Sequence, residues 1–452
     1  MTALSARTAV RLGAGAGFAG DRIDPAVDLA ERGELDFLVF ECLAERTIAL
    51  AQQAKAEGRH PGFDGLLETR IRATAPAARA NGTVIVTNAG AADPLAAAKA
   101  VRGVGKEMGL DLRVAAVTGD DVLDSLDPRS PLLGGEGTLW DYRDRIVSAN
   151  AYLGAQGLVD ALDAEPDVLL TGRTSDVALF LAPLLKRFGW RLDDPADLDR
   201  IAAGSLAGHL LECAGQLTGG YFADGAHKSV PGLARLGFPI ADVHPDGAAE
   251  LTKLPGTGGR LTRMTCLEQM LYEVDDPYRY LTPDVIVDLS AVTISEPAPG
   301  RLHVSGARGT PRPDTLKVSV GIRDGFAGQA EISYSGAHCL ARATLAADIV
   351  AERWQDVHGL GGHPLRTDFI GVNSCRPWYT PPEPEPAEVR LRLSVRTPDR
   401  HPAEVLAREV EALYTNGPAG GGGVSTAVRT SLGIVSVLVP RETVTPVVTV
   451  LA

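Results

Sequence analysis

Cysteine is scarce in this chain. Five are spread over 452 residues: Cys42, Cys213, Cys266, Cys339 and Cys375, odd in number, far apart and never spaced as CxxC. That excludes a disulfide framework and offers no structural zinc site, and it fits a reducing cytoplasm. Long apolar runs are missing as well. Nowhere do about 18 apolar residues follow one another, and the opening residues MTALSARTAVRLG hold no basic stretch followed by an apolar one. The expectation is a cytoplasmic protein, neither exported nor membrane-spanning. Positive charge is in deficit: 44 Lys and Arg against 57 Asp and Glu leave a net charge of −13. Such a balance argues against nucleic acid or an anionic membrane as the main partner. What remains, 45% hydrophobic and 22% charged residues, describes an ordinary globular protein. Its length exceeds what one hydrophobic core usually serves, so two domains are expected.

In the first half, short apolar runs alternate with longer helical patterns. The runs LDFLVF (35–40), TVIVTN (83–88), RVAAVT (113–118) and DVLLTG (167–172) read as strands buried on both faces. Between them, CLAERTIALAQQAKAEG, DPLAAAKAVRGVGKEMG and DRIVSANAYLGAQGLVDALDAE have helical periodicity. The expected class is α/β: an N-terminal, mostly parallel sheet with helices on both faces, Rossmann-like, over residues 1–278. From near residue 280, segments such as DVIVDLS, RLHVSGA, TLKVSVGIRD and AEISYSG alternate and are broken by Gly, Pro and Asp, as antiparallel strands are. A smaller α+β domain with a mixed or antiparallel sheet is expected over 279–452. Such a domain often buries an edge in a dimer, so a homo-oligomer is expected.

The stretch RLGAGAGFAGDRI (11–23) holds Gly15, Gly17 and Gly20 in the spacing G-x-G-x-x-G, with Glu41 at the end of the next strand. On paper this is a dinucleotide fingerprint. Against it, the best helix start is Asp24 as N-cap with Pro25 behind it, several residues too late for helix N–H groups to face a pyrophosphate. A glycine-rich strand-to-helix loop, or one whose amides approach another anion, are the other readings.

Ligands of parallel sheets bind beyond the carboxyl ends of strands. Those ends deliver the Gly15–Gly20 loop, Glu41, Cys42, Asn88, Asp120, Arg173, Ser175 and Asp176. In TGRTSD, a Thr174 or Ser175 cap would set free amides beside Arg173, making an anion site. Glu41, delivered by an apolar strand, would have a raised pKa suited to acid/base work. Cys42, at an expected helix start, is a candidate nucleophile. Further along, His209, Glu212 and Cys213 share one helical face, where a carboxylate can fix and strengthen an imidazole base. One helix supplies too few ligands for a metal, and none is expected. Ser335 and His338, in SYSGAH, read as a helix cap or a Ser/His pair.

Several blocks together, RLGAGAGFAGDRI, LDFLVFECLAERTIALAQ, VTNAGAADP, LLTGRTSDVALFLAP, HLLECAGQLTGGYFAD and SYSGAHCLARA, resemble the acyclic terpene utilisation (AtuA) family over nearly the whole chain. The resemblance implies a setting in which branched terpenoid acids are broken down as coenzyme A thioesters beside carboxylases, hydratases and lyases. It implies no particular reaction. With the polar rim, it leads to an expected enzyme of acyl-thioester catabolism, a lyase or hydratase with side-chain acid/base chemistry. The expected partner is a small acyl thioester or carboxylate, and no cofactor is expected beyond coenzyme A as part of the substrate. A non-catalytic acyl-CoA binding protein, and thirdly an NAD(P)-dependent oxidoreductase, are the alternatives.

Overall fold

A computed structural model describes residues 8–376 and 386–451. The strands of the first half are β1 (Val10–Ala16), β2 (Phe37–Phe40), β3 (Val84–Thr87), β4 (Val114–Thr118), β5 (Ile146–Ala151), β6 (Val168–Thr171), β7 (Pro239–Val243) and β8 (Ala249–Lys253). The helices are α1 (Asp24–Arg32), α2 (Glu45–Ala56), α3 (Leu67–Asn81), α4 (Pro94–Glu107), α5 (Gln156–Leu162), α6 (Ala178–Phe188), α7 (Leu198–Glu212) and α8 (Arg263–Met270). Strands β1, β2, β3, β6 and β4 lie side by side and parallel. Their apolar runs are buried almost completely, Leu38, Val39, Ile85, Val86, Val114 and Leu169 among them, each worth about 1.5–3 kcal/mol over exposure. Helices α1, α3 and α4 pack on one another, as do α5, α6 and α7, and both groups pack on these strands.

Two features depart from the Rossmann-like expectation. The parallel strands run in spatial order β1, β2, β3, β6, β4, without the reversal beside the first strand that makes the dinucleotide crevice. The sheet is also mixed. Beyond β1 it continues antiparallel through β7, β8, Arg301–Ser305 and Thr293–Ala298, and beyond β4 it ends on antiparallel Val447–Leu451. These strands give the edges of the parallel core the hydrogen-bond partners they would otherwise lack. The Arg11 guanidinium inside β1 is accommodated by Asp242 of β7, at 2.6 Å.

The chain forms two compact units, Met1–Gly321 with Ile434–Ala452, and Ile322–Gly433. A border at 278/279 therefore falls inside the first unit, because strands past it return to the first sheet. The second unit carries antiparallel strands Arg366–Ile370 and Glu388–Thr397 and most of Thr315–Ser335 and Gly422–Pro440. Helices Cys339–Glu352 and Arg400–Asn416, the latter through Leu406, share its core with Ile332 and Leu391. The segment expected as one helix from Asp144 is instead β5 followed by α5. Its start, Ile146–Val147, is β-branched, and Gly154 breaks it before the helix. Among the described residues no helix is long and apolar enough to cross a membrane.

Candidate functional site

A cavity of about 1150 Å³ opens in the first unit beyond the carboxyl ends of β1, β2 and β6. Gly17, Glu41, Arg173, Ser175 and Asp176 line it from these ends, and His209, Glu212 and Cys213 from the end of α7. Its apolar wall includes Leu43, Leu236, Phe238 and Leu316.

Glu41 leaves β2 and is buried. Its Oε1 accepts from the Leu43 amide at 2.7 Å and from Asn88 Nδ2 at 2.9 Å. Asn88, at the end of β3, also accepts from the Cys42 amide at 2.7 Å, so it shapes the Glu41 loop without lining the cavity. Burial raises the Glu41 pKa, against the lowering by Asn88, the Leu43 amide and Arg173, and Glu212 adds to the rise. Asp120 is likewise a support. Its Oδ2 accepts from the Arg173 amide at 2.8 Å and from Asn150 at 2.9 Å, and burial pushes its pKa up to about 6.

Arg173 is 2% exposed. Its Nη1 donates to the Leu43 carbonyl and pairs with Asp176 at 3.1 Å, its Nε is buried without a partner among the described residues, and its Cζ lies 4.0 Å from the Tyr152 ring centre. Lys317 sits over the same ring at 4.9 Å and reaches Glu45 at 3.2 Å, while the Tyr152 hydroxyl donates to Glu45. Burial would raise the Glu45 pKa, but Tyr152, Arg173 and Lys317 overcome it and hold Glu45 at about 2. Asp176 is 34% exposed into the cavity region, yet loss of solvent outweighs Arg173 and keeps its pKa well above the ordinary carboxylate value, with Glu41, Glu212 and Glu45 adding to the rise.

Every residue of α7 from Gly204 to Glu212 is buried, as befits a helix apolar all round. His209 lies in its last turn, 1% exposed. Its Nδ1 is 2.9 Å from Glu212 Oε1, and its Nε2 is 3.2 Å from the carbonyl of Met270, the last residue of α8. A helix-end carbonyl lacks an intrahelical donor, and as a carbonyl oxygen only accepts, Nε2 carries the proton of this bond. Burial would lower the His209 pKa, but Glu212, the Met270 carbonyl and Glu273 raise it overall, and the negative end of α7 acts the same way.

Other candidates are placed differently. Gly15 lies within β1, where a Cβ would meet the Phe40 ring at 2.7 Å. A Cβ on Gly17 would stand 2.5 Å from the Cys213 backbone, and one on Gly20 2.8 Å from Phe18. These glycines thus allow close packing. The Gly17 amide is already taken by Asp21 Oδ2 at 2.9 Å, an acid where a phosphate would have to sit. Asp24 is the first residue of α1, with Ile23 as N-cap, so it is not the cap expected. Nor does Thr174 or Ser175 cap α6: Thr174 donates to the Leu153 carbonyl, as does the Ser175 amide, and the N-cap is Val177. Of the amides beside Arg173, that of Ser175 is taken by Leu153 and those of Ala178 and Leu179 by the Ser175 and Asp176 carbonyls. Cys42 does not line the cavity, and burial, offset only in part by Arg70, pushes its thiol well above the ordinary value, the wrong state for a nucleophile. His338 belongs to the second unit, exposed and in a left-handed turn before Cys339–Glu352, with no side-chain cap bond. Among the described residues no group of three or more His, Cys, Asp or Glu is arranged to hold a metal ion.

Tyr152, Lys317 and Tyr280, all lining the cavity, escaped the sequence reading. Each sits in or beside a strand whose pairing brings it in from another part of the chain, and no local motif marks it.

Fold and site together define an α/β protein with a buried, mostly apolar-walled cavity floored by carboxyls, a guanidinium and an imidazole. A family model, "Acyclic terpene utilisation family protein AtuA", matches residues 10–450, and the chain belongs to that family. No curated protein and no solved structure gave a match.

Proposed function

We propose that this protein is an enzyme of branched acyl-thioester breakdown that works by side-chain acid/base chemistry, a lyase or hydratase acting within acyclic terpene utilisation. The observation that carries this reading is the meeting, in one cavity, of two shielded carboxyls with an imidazole held against a third. Glu41 and Asp176 are pushed toward the protonated form by burial, while Glu212 lies against an imidazole with a raised pKa. Groups set apart in this way can give a proton and take one at neutral pH. The apolar wall suits a branched chain, and the volume is generous for a ligand of that class. Arg173 supplies fixed positive charge where negative charge would develop on the substrate.

Both nitrogens of His209 are engaged within the protein. The carboxylate of Glu212 is therefore the group that meets substrate on that side, with His209 holding it.

The test is turnover of a panel of branched and straight-chain acyl-CoA thioesters by the purified protein. Conversion of branched members is expected. Thermal stabilisation without conversion, about 3 kcal/mol at a hundredfold excess over Kd, would replace the enzyme with a binding protein.

A further inference from the structure

Tyr280 lines the cavity and takes no part in the reading above. It sits in the two-residue strand Tyr280–Leu281, paired antiparallel with Ile286–Asp288. The intervening turn is fixed: Thr282 Oγ1 donates to the Val285 carbonyl at 2.6 Å, and buried Asp284 accepts from the Ala155 amide at 3.0 Å. The phenol ring rests on the His209 ring with centres 5.0 Å apart, and its hydroxyl oxygen is 3.4 Å from His209 Nδ1.

The protons can be accounted for. Nε2 of His209 faces a carbonyl, which only accepts, so it is N–H. Nδ1 faces the Glu212 carboxylate at 2.9 Å, and that contact requires a proton between them. With the proton on Nδ1, the N–H points mainly at Glu212 and secondarily at the Tyr280 oxygen, so the phenol accepts there. Among the described residues its own O–H hydrogen has no acceptor, and it is left for whatever occupies the cavity. Burial keeps the phenol protonated, its pKa well above the ordinary value, with Glu212, Asp176, Glu273 and Cys213 contributing in the same direction.

We infer that the Tyr280 hydroxyl is the hydrogen-bond donor to the carbonyl oxygen of the bound acyl group, with the His209–Glu212 pair fixing its orientation. This rests on the acyl-thioester reading and adds a residue that touches the substrate. A neutral donor held in place from behind strengthens its bond as the carbonyl oxygen gains negative charge.

The test compares two ligands by calorimetry: octanoyl-CoA, and the octyl-CoA thioether that lacks the carbonyl oxygen. The wild type is expected to prefer the thioester by tenfold or more. Tyr280→Phe, which removes one oxygen and leaves the ring against His209, should bind both with the affinity the wild type has for the thioether, at an unchanged melting temperature. As a second variant, Glu212→Gln should keep a weakened preference. Equal binding of the two ligands by the wild type, or a preference that survives in Tyr280→Phe, overturns the role of Tyr280 alone. Binding of neither compound overturns the thioester reading, and this role with it.

Discussion

Glu41 and Arg173 reach the cavity from the ends of parallel strands, whereas His209, Glu212 and Tyr280 reach it from the end of a core helix and a turn far along the chain. The two groups manage buried charge differently. At the strand ends a permanent guanidinium stands among carboxyls, hydrogen-bonded to Asp176 and with its charge matched by a Glu45 held ionised. At the helix end no fixed cation among the described residues is in contact with Glu212, and the balance depends on a proton lodged between an imidazole and a carboxylate. The first arrangement keeps its cation at any working pH. The second changes state when that proton leaves. Buried charge is tolerated in both because each partner has another at hydrogen-bond distance.

The sharpest probe of the strand-end group is Glu41→Gln. The amide can still accept from the Leu43 amide and Asn88, so the melting temperature should stay nearly constant while turnover of the best acyl-CoA falls about a hundredfold or more. Turnover within a few-fold of wild type would move the proton donor elsewhere, Asp176 being the next candidate.

A smaller effect is expected for Arg173→Lys. The ammonium keeps the charge but loses the planar fork and the stacking on Tyr152, so calorimetry should show octanoyl-CoA affinity down about tenfold, near 1.4 kcal/mol. An unchanged Kd would mean that Arg173 serves the fold alone.

The gentlest test concerns the helix-end group and pH. His209 has a raised pKa in the folded state, so its contribution to stability is complete below the ordinary histidine value of about 6.5 and is lost as pH rises through the folded value. Thermal melts should therefore fall with rising pH above about 6.5, and Glu212→Gln should flatten that slope. Buried acids of raised pKa, such as Asp120 at about 6, tilt stability the same way but at lower pH. An identical slope in the variant would show that Glu212 does not hold the imidazolium.

Much of this was legible locally. The four apolar runs became β2, β3, β4 and β6 within a residue or two, because a strand buried on both faces needs an uninterrupted apolar sequence. Their ends had to face one rim, and that alone gathered Glu41, Asn88, Asp120, Arg173 and Asp176. The spacing of His209 and Glu212 by itself puts them on one helical face, since three residues make nearly one turn. Tertiary structure decided the rest. Whether an alternating strand joins one sheet or another depends on which edge is open, which is why Thr293–Ala298, Arg301–Ser305 and Val447–Leu451 complete the first sheet. The Gly15–Gly20 loop packs where a Cβ would strike Phe40 and Cys213, and its Gly17 amide is taken by Asp21. Tyr152, Lys317 and Tyr280 gained their places from partners more than 70 residues away. Side-chain chemistry is carried by the sequence, but the protonation state and the partner of each group depend on burial and on neighbours that only the folded chain brings together.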